Sequence, residues 1–163
     1  MLEVSLKTGD KAPDFKLPNK EGQELSLDSF QGKWIILYFY PKDNTSGCTK
    51  EAVEFSEMLE ELKAQNAVVI GVSPDSVKSH QKFADKHDLK VELLSDPQHE
   101  SMEKFGVWGL KKMCGRESMG VIRSTYIINP EGYIAAHWNK VKVKGHAQQV
   151  KDAFETLKVQ YKG

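Results

Sequence analysis

The sequence predicts an α/β fold in which a mixed central β-sheet is flanked by helices and preceded by a β-hairpin. Three observations predict it. The apolar run Trp34-Ile35-Ile36-Leu37-Tyr38-Phe39-Tyr40 has the length and content of a buried strand. Ala52, Phe55, Leu59 and Leu62 then recur at spacings of three, four and three, a helical stripe, before a second apolar run at Ala67 to Val72. Strand, helix and strand in that order form a right-handed unit with parallel pairing. Finally, Ser124–Ile128 and Tyr133–Trp138 flank Asn129-Pro130-Glu131-Gly132, an antiparallel hairpin that makes the sheet mixed.

The other elements follow in order. Phe15-Lys16-Leu17 and Glu24-Leu25-Ser26-Leu27 flank Asn19-Lys20-Glu21-Gly22, an N-terminal hairpin with a glycine turn. The first helix runs to about Ala64. After Ser73-Pro74-Asp75, a second helix is expected from Ser76 to His87, then a short strand at 91–94 and a brief helix at 98–104. Ala147, Val150, Phe154 and Leu157 mark a last helix, again at spacings of three, four and three. A chain of 163 residues without a linker or repeat is expected to form one domain, residues 1–163.

Lys plus Arg and Asp plus Glu number 23 each, so no net charge draws nucleic acid or an anionic membrane. Lys140 to Lys144 alternates with valine and is expected to be a solvated strand face. No apolar run approaches the ~20 residues of a membrane span. The N-terminus MLEVSLKTGDKAPDF has no apolar signal region, and a cytoplasmic location is expected. His80 and His87 lie seven apart on a helix, ~10 Å, too far to share one metal. No metal, haem or phosphate-loop motif is present, and no cofactor is expected.

Chemistry concentrates at Pro41-Lys42-Asp43-Asn44-Thr45-Ser46-Gly47-Cys48-Thr49-Lys50-Glu51, where a buried strand ends and a cysteine opens a helix. The first helical turn offers unpaired N–H groups and a partial positive charge, both favourable to an anionic sulfur. The competing reading is an inert core thiol. Polar neighbours on both sides of Cys48 argue against it.

The order of elements, with that cysteine at the N-terminus of the first long helix, resembles the thioredoxin fold. Thr45-Ser46-Gly47-Cys48 stands where a thioredoxin carries Cys-x-x-Cys, so Cys48 cannot cycle as a dithiol by itself. Pro41-x-x-x-Thr45-x-x-Cys48 resembles the active-site signature of peroxiredoxins. Gly9-Asp10-Lys11-Ala12-Pro13-Asp14-Phe15, Tyr38-Phe39-Tyr40-Pro41, Gly71-Val72-Ser73 and Arg123-Ser124-Thr125-Tyr126-Ile127-Ile128 extend the likeness to the bacterioferritin comigratory, or Q-type, subfamily. The resemblance implies a thiol peroxidase that reduces hydrogen peroxide and organic hydroperoxides through a cysteine sulfenic acid, recycled by thioredoxin or a similar thiol. It implies Cys48 as the peroxidatic thiol, Thr45 and Arg123 as the groups that activate the peroxide, Pro41 as a shield and Glu51 as the residue that positions Arg123. Arg116 is expected at the surface. No obvious C-terminal dimerisation extension is expected beyond the last helix, and the resemblance implies a monomer.

Lowering a thiol pKa from ~8.5 to ~6 raises its thiolate fraction at pH 7 from about 3% to about 90%. With a Brønsted slope of ~0.4–0.5, that drop costs about tenfold in nucleophilicity. A depressed pKa therefore leaves a fast peroxidase unexplained, and donors fixed around the two oxygens must supply the rest.

Many Q-type relatives carry a second, resolving cysteine at the position of Val53 or near Ala84, and neither holds cysteine here. Cys114, in Lys111-Lys112-Met113-Cys114-Gly115, is the only other thiol and is expected in a glycine-flanked loop. It is the candidate resolving cysteine; a one-cysteine cycle with an external thiol and a bystander role stay open. So does a different class of function, a redox-sensing interaction protein using the same thiol.

Overall fold

The computed structural model describes residues 6–161. Its centre is a five-stranded mixed sheet built from β3 (Trp34–Phe39), β4 (Ala67–Ser73), β5 (Glu92–Ser95), β8 (Ser124–Ile128) and β9 (Ile134–Asn139), in the order β5-β4-β3-β8-β9. β3 pairs in parallel with β4, β4 in parallel with β5, and β8 runs antiparallel to both β3 and β9. Outside it, β1 (Lys16–Pro18) and β2 (Glu24–Ser26) form the expected N-terminal hairpin, followed by a 3-10 turn at Leu27–Phe30.

All six residues of β3 are buried, because the pleat sends alternate side chains to two covered faces. Trp34, Ile36, Tyr38 and Tyr40 point to the face carrying Phe55 of α1 (Ser46–Ala64), Phe83 of α2 (Val77–His87) and Phe154 of α4 (His146–Gln160). Ile35, Leu37 and Phe39 meet Phe15, Leu17, Phe105 and Met102 of the short α3 (Glu100–Lys104) on the other. The three long helices thus share one face, and the hairpin with α3 closes the second. Gly71 of β4 is required by packing, since a Cβ there would stand 2.7 Å from the Tyr38 ring.

Two segments depart from the sequence expectation. Residues around Cys114 form a regular hairpin, β6 (Trp108–Met113) with β7 (Arg116–Val121), joined by Cys114 and Gly115. Both turn residues have positive φ, 53° and 78°, the geometry of a tight turn whose twist matches the strands. Lys140 to Lys144 is a loop rather than a strand face. Lys140 takes a left-handed φ of 54° directly after β9, and the chain turns back toward α4. The lysines at 142 and 144 are solvated as expected, but Val141 and Val143 are half-buried against the region of Arg123.

Candidate active site

Cys48 is the third residue of α1, and Thr45, in extended backbone at φ −93°, is the N-cap. The first intrahelical bond of the turn runs from the Thr49 N–H to the Thr45 carbonyl. The N–H groups just before it therefore have no partner within the helix. The thiol is only 1% exposed, against the expectation that polar neighbours would keep it out of the core. Tyr38, Ala52 and Phe55 belong to the same buried cluster. What separates it from an inert core thiol is a distant residue: the Arg123 Nη2 donates to Cys48 Sγ at 3.1 Å.

Arg123 occupies the two-residue link between β7 and β8, held on both sides. The Ile122 N–H donates to the Val107 carbonyl at 2.7 Å, and the Val141 N–H donates to the Arg123 carbonyl at 2.9 Å. Its Nη1 donates to Glu51 Oε1 at 2.6 Å, so one planar guanidinium spans carboxylate and sulfur. Burial alone would lower the Arg123 pKa; the charges of Glu51 and Cys48 hold it above its ordinary value. Glu51 is 1% exposed, and burial pushes its carboxyl up to about 7, opposed by the charge and hydrogen bond of Arg123. Its second oxygen, Oε2, has no hydrogen-bond partner among the described residues. Nor has the Tyr38 hydroxyl, whose phenol is held well above its usual range by burial first and then by the neighbouring charges of Glu51 and Cys48.

Thr45 Oγ1 donates to the Lys42 carbonyl at 2.8 Å, so its hydrogen is committed to the loop and its oxygen is left as an acceptor. The hydroxyl is exposed at the entrance of the helix. Pro41 lines a surface depression of about 530 Å³ with Leu110, Ile122, Arg123 and Val141, alongside Lys111, Lys112 and Lys140. The structure thus brings Cys48 and Glu51 onto one guanidinium, that of Arg123, with Thr45 at the N-cap position of the same helix and Pro41 beside Arg123.

Cys114 stands apart. It is exposed at the turn of the β6–β7 hairpin, whereas Cys48 is buried, and both thiols are free. The arm that carries it does pass the site, since Lys111 and Lys112 share the depression with Arg123. Arg116, first residue of β7, is exposed.

Sequence reasoning missed a buried polar group behind the loop. Asp43 accepts from the Tyr40 hydroxyl at 2.6 Å and from Ser79 Oγ at 2.8 Å, and its Oδ2 pairs with His80 Nδ1 at 2.7 Å. A loop aspartate and a helical histidine separated by 37 positions carry no spacing signal, and His80 invited only the question of a metal. Among the described residues no group of three His, Cys, Asp or Glu side chains could hold a metal ion, and no helix is long and apolar enough to cross a membrane.

Residues 8–137 match the family model of the AhpC/TSA family. Peroxiredoxin Bcp of Bacillus subtilis (strain 168) is 48% identical over 155 residues, covering 95% of this chain and 97% of that protein. A putative peroxiredoxin bcp of Helicobacter pylori (strain ATCC 700392 / 26695) is 47% identical over 145 residues, covering 89% and 95%. Among solved structures, the bacterioferritin comigratory protein of Xanthomonas campestris, studied for alkyl peroxide reduction, superposes with a TM-score of 0.84 at 38% identity, covering 88% of this chain and 92% of that one. A Cys-to-Ser mutant of Xylella fastidiosa PrxQ gives 0.88 at 35% identity, covering 94% and 98%. The chain belongs to the AhpC/TSA family, and within it to the peroxiredoxins of the bacterioferritin comigratory, Q type. It is a thiol peroxidase with the mixed α/β, thioredoxin-like fold of that class, and its substrates are peroxide and a thiol reductant. The alternative of a redox-sensing interaction protein is not favoured by these relatives.

Proposed function

We propose that Cys48 is the peroxidatic thiol, and that Arg123, Thr45 and the first turn of α1 bind and activate the hydroperoxide. One observation carries this reading: a single guanidinium donates to Cys48 Sγ and to the buried Glu51 at once. The cation is aimed at the sulfur by a carboxylate that cannot swing into solvent. The Cys48 thiolate attacks the nearer oxygen, the O–O bond breaks, and the departing oxygen takes a proton to become water or alcohol. Cys48 is left as the sulfenic acid. Thr45 accepts the hydroperoxide O–H, since its own hydrogen is engaged at Lys42. The remaining N–H groups of Arg123 and of the helix turn meet the charge that develops on the oxygens. At 1% exposure the sulfur is open only to a narrow terminal group. The depression beside Pro41, Ile122 and Val141 gives an organic hydroperoxide room for its substituent. Pro41 shields the mouth, and Glu51 positions Arg123.

We further propose that Cys114 resolves the sulfenic acid, supported by the course of β6 past Arg123, and that thioredoxin or a similar dithiol reduces the product. A monomer in the reducing cytoplasm, where such reductants operate, fits two free thiols. The test is multiple-turnover peroxide consumption with a thioredoxin system. Cys48→Ser abolishes it while the circular dichroism spectrum is unchanged; near-native turnover in that variant overturns the assignment.

A further inference from the structure

The β3–α1 loop is tied to α2 by a group of bonds that the peroxide chemistry does not use. The Asp43 side chain is buried and hydrogen-bonded to Tyr40, Ser79 and His80. Its backbone N–H donates to Asp75 Oδ2 at 2.7 Å, and Asp75 is itself held by Ser73 Oγ at 2.7 Å. His80, fully buried, meets Asp43 Oδ2 with Nδ1 and the Leu94 carbonyl with Nε2 at 2.9 Å. Both ring nitrogens are thus engaged, one by the loop and one by β5, so the ring ties the two together. A buried polar pair of this kind is costly to separate, because either partner left alone is a buried polar group without its hydrogen bond.

Its location gives it a consequence. Asp43 lies five residues before Cys48, and Asn44 between them is left-handed at φ 62°, the point where the loop turns from α2 into α1. The Cys48 sulfur is buried under the guanidinium of Arg123, so a second thiol reaches it only when this loop and the first turn of α1 move away.

We infer that the Asp43–His80 pair is a latch that sets how often the Cys48 segment opens, and so divides the sulfenic acid between reduction and overoxidation. In the open segment, Cys48–SOH and a thiol R′–SH give the disulfide Cys48–S–S–R′ and water. In the closed pocket, Cys48–SOH and a second hydroperoxide ROOH give the sulfinic acid Cys48–SO₂H and ROH. A tight latch favours the second course. The inference rests on Cys48 being the peroxidatic thiol. His80 and Asp43 are positioning residues, since neither touches the reacting atoms.

The test is the peroxide dose that converts half of Cys48 to sulfinic acid during turnover with a fixed concentration of dithiothreitol, read by peptide mass. It is set beside the rate of the first oxidation of Cys48. In His80→Gln the half-dose rises about tenfold, an opening equilibrium shifted by ~1.4 kcal/mol, while the first oxidation stays within about threefold. Ser79→Ala removes one of the three side-chain bonds at Asp43 and leaves the other two in place, and raises the half-dose by about threefold. This milder variant keeps the test sharp if His80→Gln does not fold. Phe154→Leu, which weakens the core away from the loop, leaves the half-dose unchanged. An unchanged or lower half-dose in folded Ser79→Ala and His80→Gln, with Cys48 still oxidised in the first step, overturns the latch. Absence of any oxidised Cys48 in the unmodified protein would instead overturn the peroxidatic assignment beneath it.

Discussion

Arg123 Nη2 lies 3.1 Å from Cys48 Sγ although 75 positions separate the two residues. The cation stands beside the sulfur because β8 pairs with β3, which ends at the loop leading into α1. The link between β7 and β8 is therefore delivered to the mouth of the Cys48 helix by sheet register.

Arg123→Lys keeps a charge but loses the fork that reaches sulfur and carboxylate together. The second-order rate of Cys48 oxidation by hydrogen peroxide falls by ~10²-fold, and by up to ~10³-fold in Arg123→Met. Rapid-mixing measurements check this, and a loss below threefold in both would remove Arg123 from the peroxide step.

Thr45→Val removes an acceptor for the hydroperoxide O–H and, in the same stroke, the bond that fixes Lys42. The same rate falls by ~10²-fold, whereas Thr45→Ser, which keeps the hydroxyl, stays within tenfold. Equal rates for the valine and serine variants would reduce Thr45 to a loop residue.

The titration of Glu51 has a measurable sign. Burial holds its folded pKa at about 7 against 4.5 for a glutamate free in water, so between those values the folded chain keeps a proton that the unfolded chain has lost. The contribution to stability is fully present below pH ~4.5 and is lost as pH rises past ~7. Relative to Glu51→Gln, which has no such proton, the unfolding free energy of the unmodified protein falls by on the order of 3 kcal/mol from pH 4 to pH 8. Denaturant titrations of both proteins across that range test it, and parallel pH profiles would contradict it.

Much of this architecture is legible in the sequence because it rests on local periodicity. The stripe Ala52, Phe55, Leu59 and Leu62 is buried as the helical spacing predicts, and Trp34 to Phe39 is buried on both faces as its uninterrupted apolar run predicts. The β6–β7 hairpin is not legible. Its strands carry lysine, glutamate and glycine on largely solvated faces, with Leu110 61% and Met119 49% exposed, and its turn uses a cysteine where asparagine or glycine would be the signal. The candidate site divides the same way. The spacing of Pro41, Thr45 and Cys48 along one loop and helix is visible in the chain, while the burial of Cys48 and the Asp43–His80 pair arise only from contacts across the fold.

Cys114 offers a prediction that hinges on motion. An internal disulfide needs the two Cα atoms within ~7 Å, and here one thiol is buried and the other sits exposed on a hairpin turn. One equivalent of peroxide gives a monomeric species two mass units lighter, cross-linked between Cys48 and Cys114. Cys114→Ser stops thioredoxin-supported turnover, speeds conversion of Cys48 to sulfinic acid and leaves the first oxidation intact. Full turnover in Cys114→Ser would reject the internal resolver in favour of an external thiol.

The most direct measurement is to treat the reduced protein with one equivalent of hydrogen peroxide in the presence of a sulfenic-acid trap and to locate the adduct by peptide mass. Cys114→Ser is run in parallel so that no internal thiol competes. The trap is predicted on the peptide containing Cys48, in near-stoichiometric yield, in Cys114→Ser, and to fall by ~10²-fold in rate when Arg123→Lys is added. An adduct confined to Cys114 in the unmodified protein, with Cys48 left as the free thiol, would contradict the account.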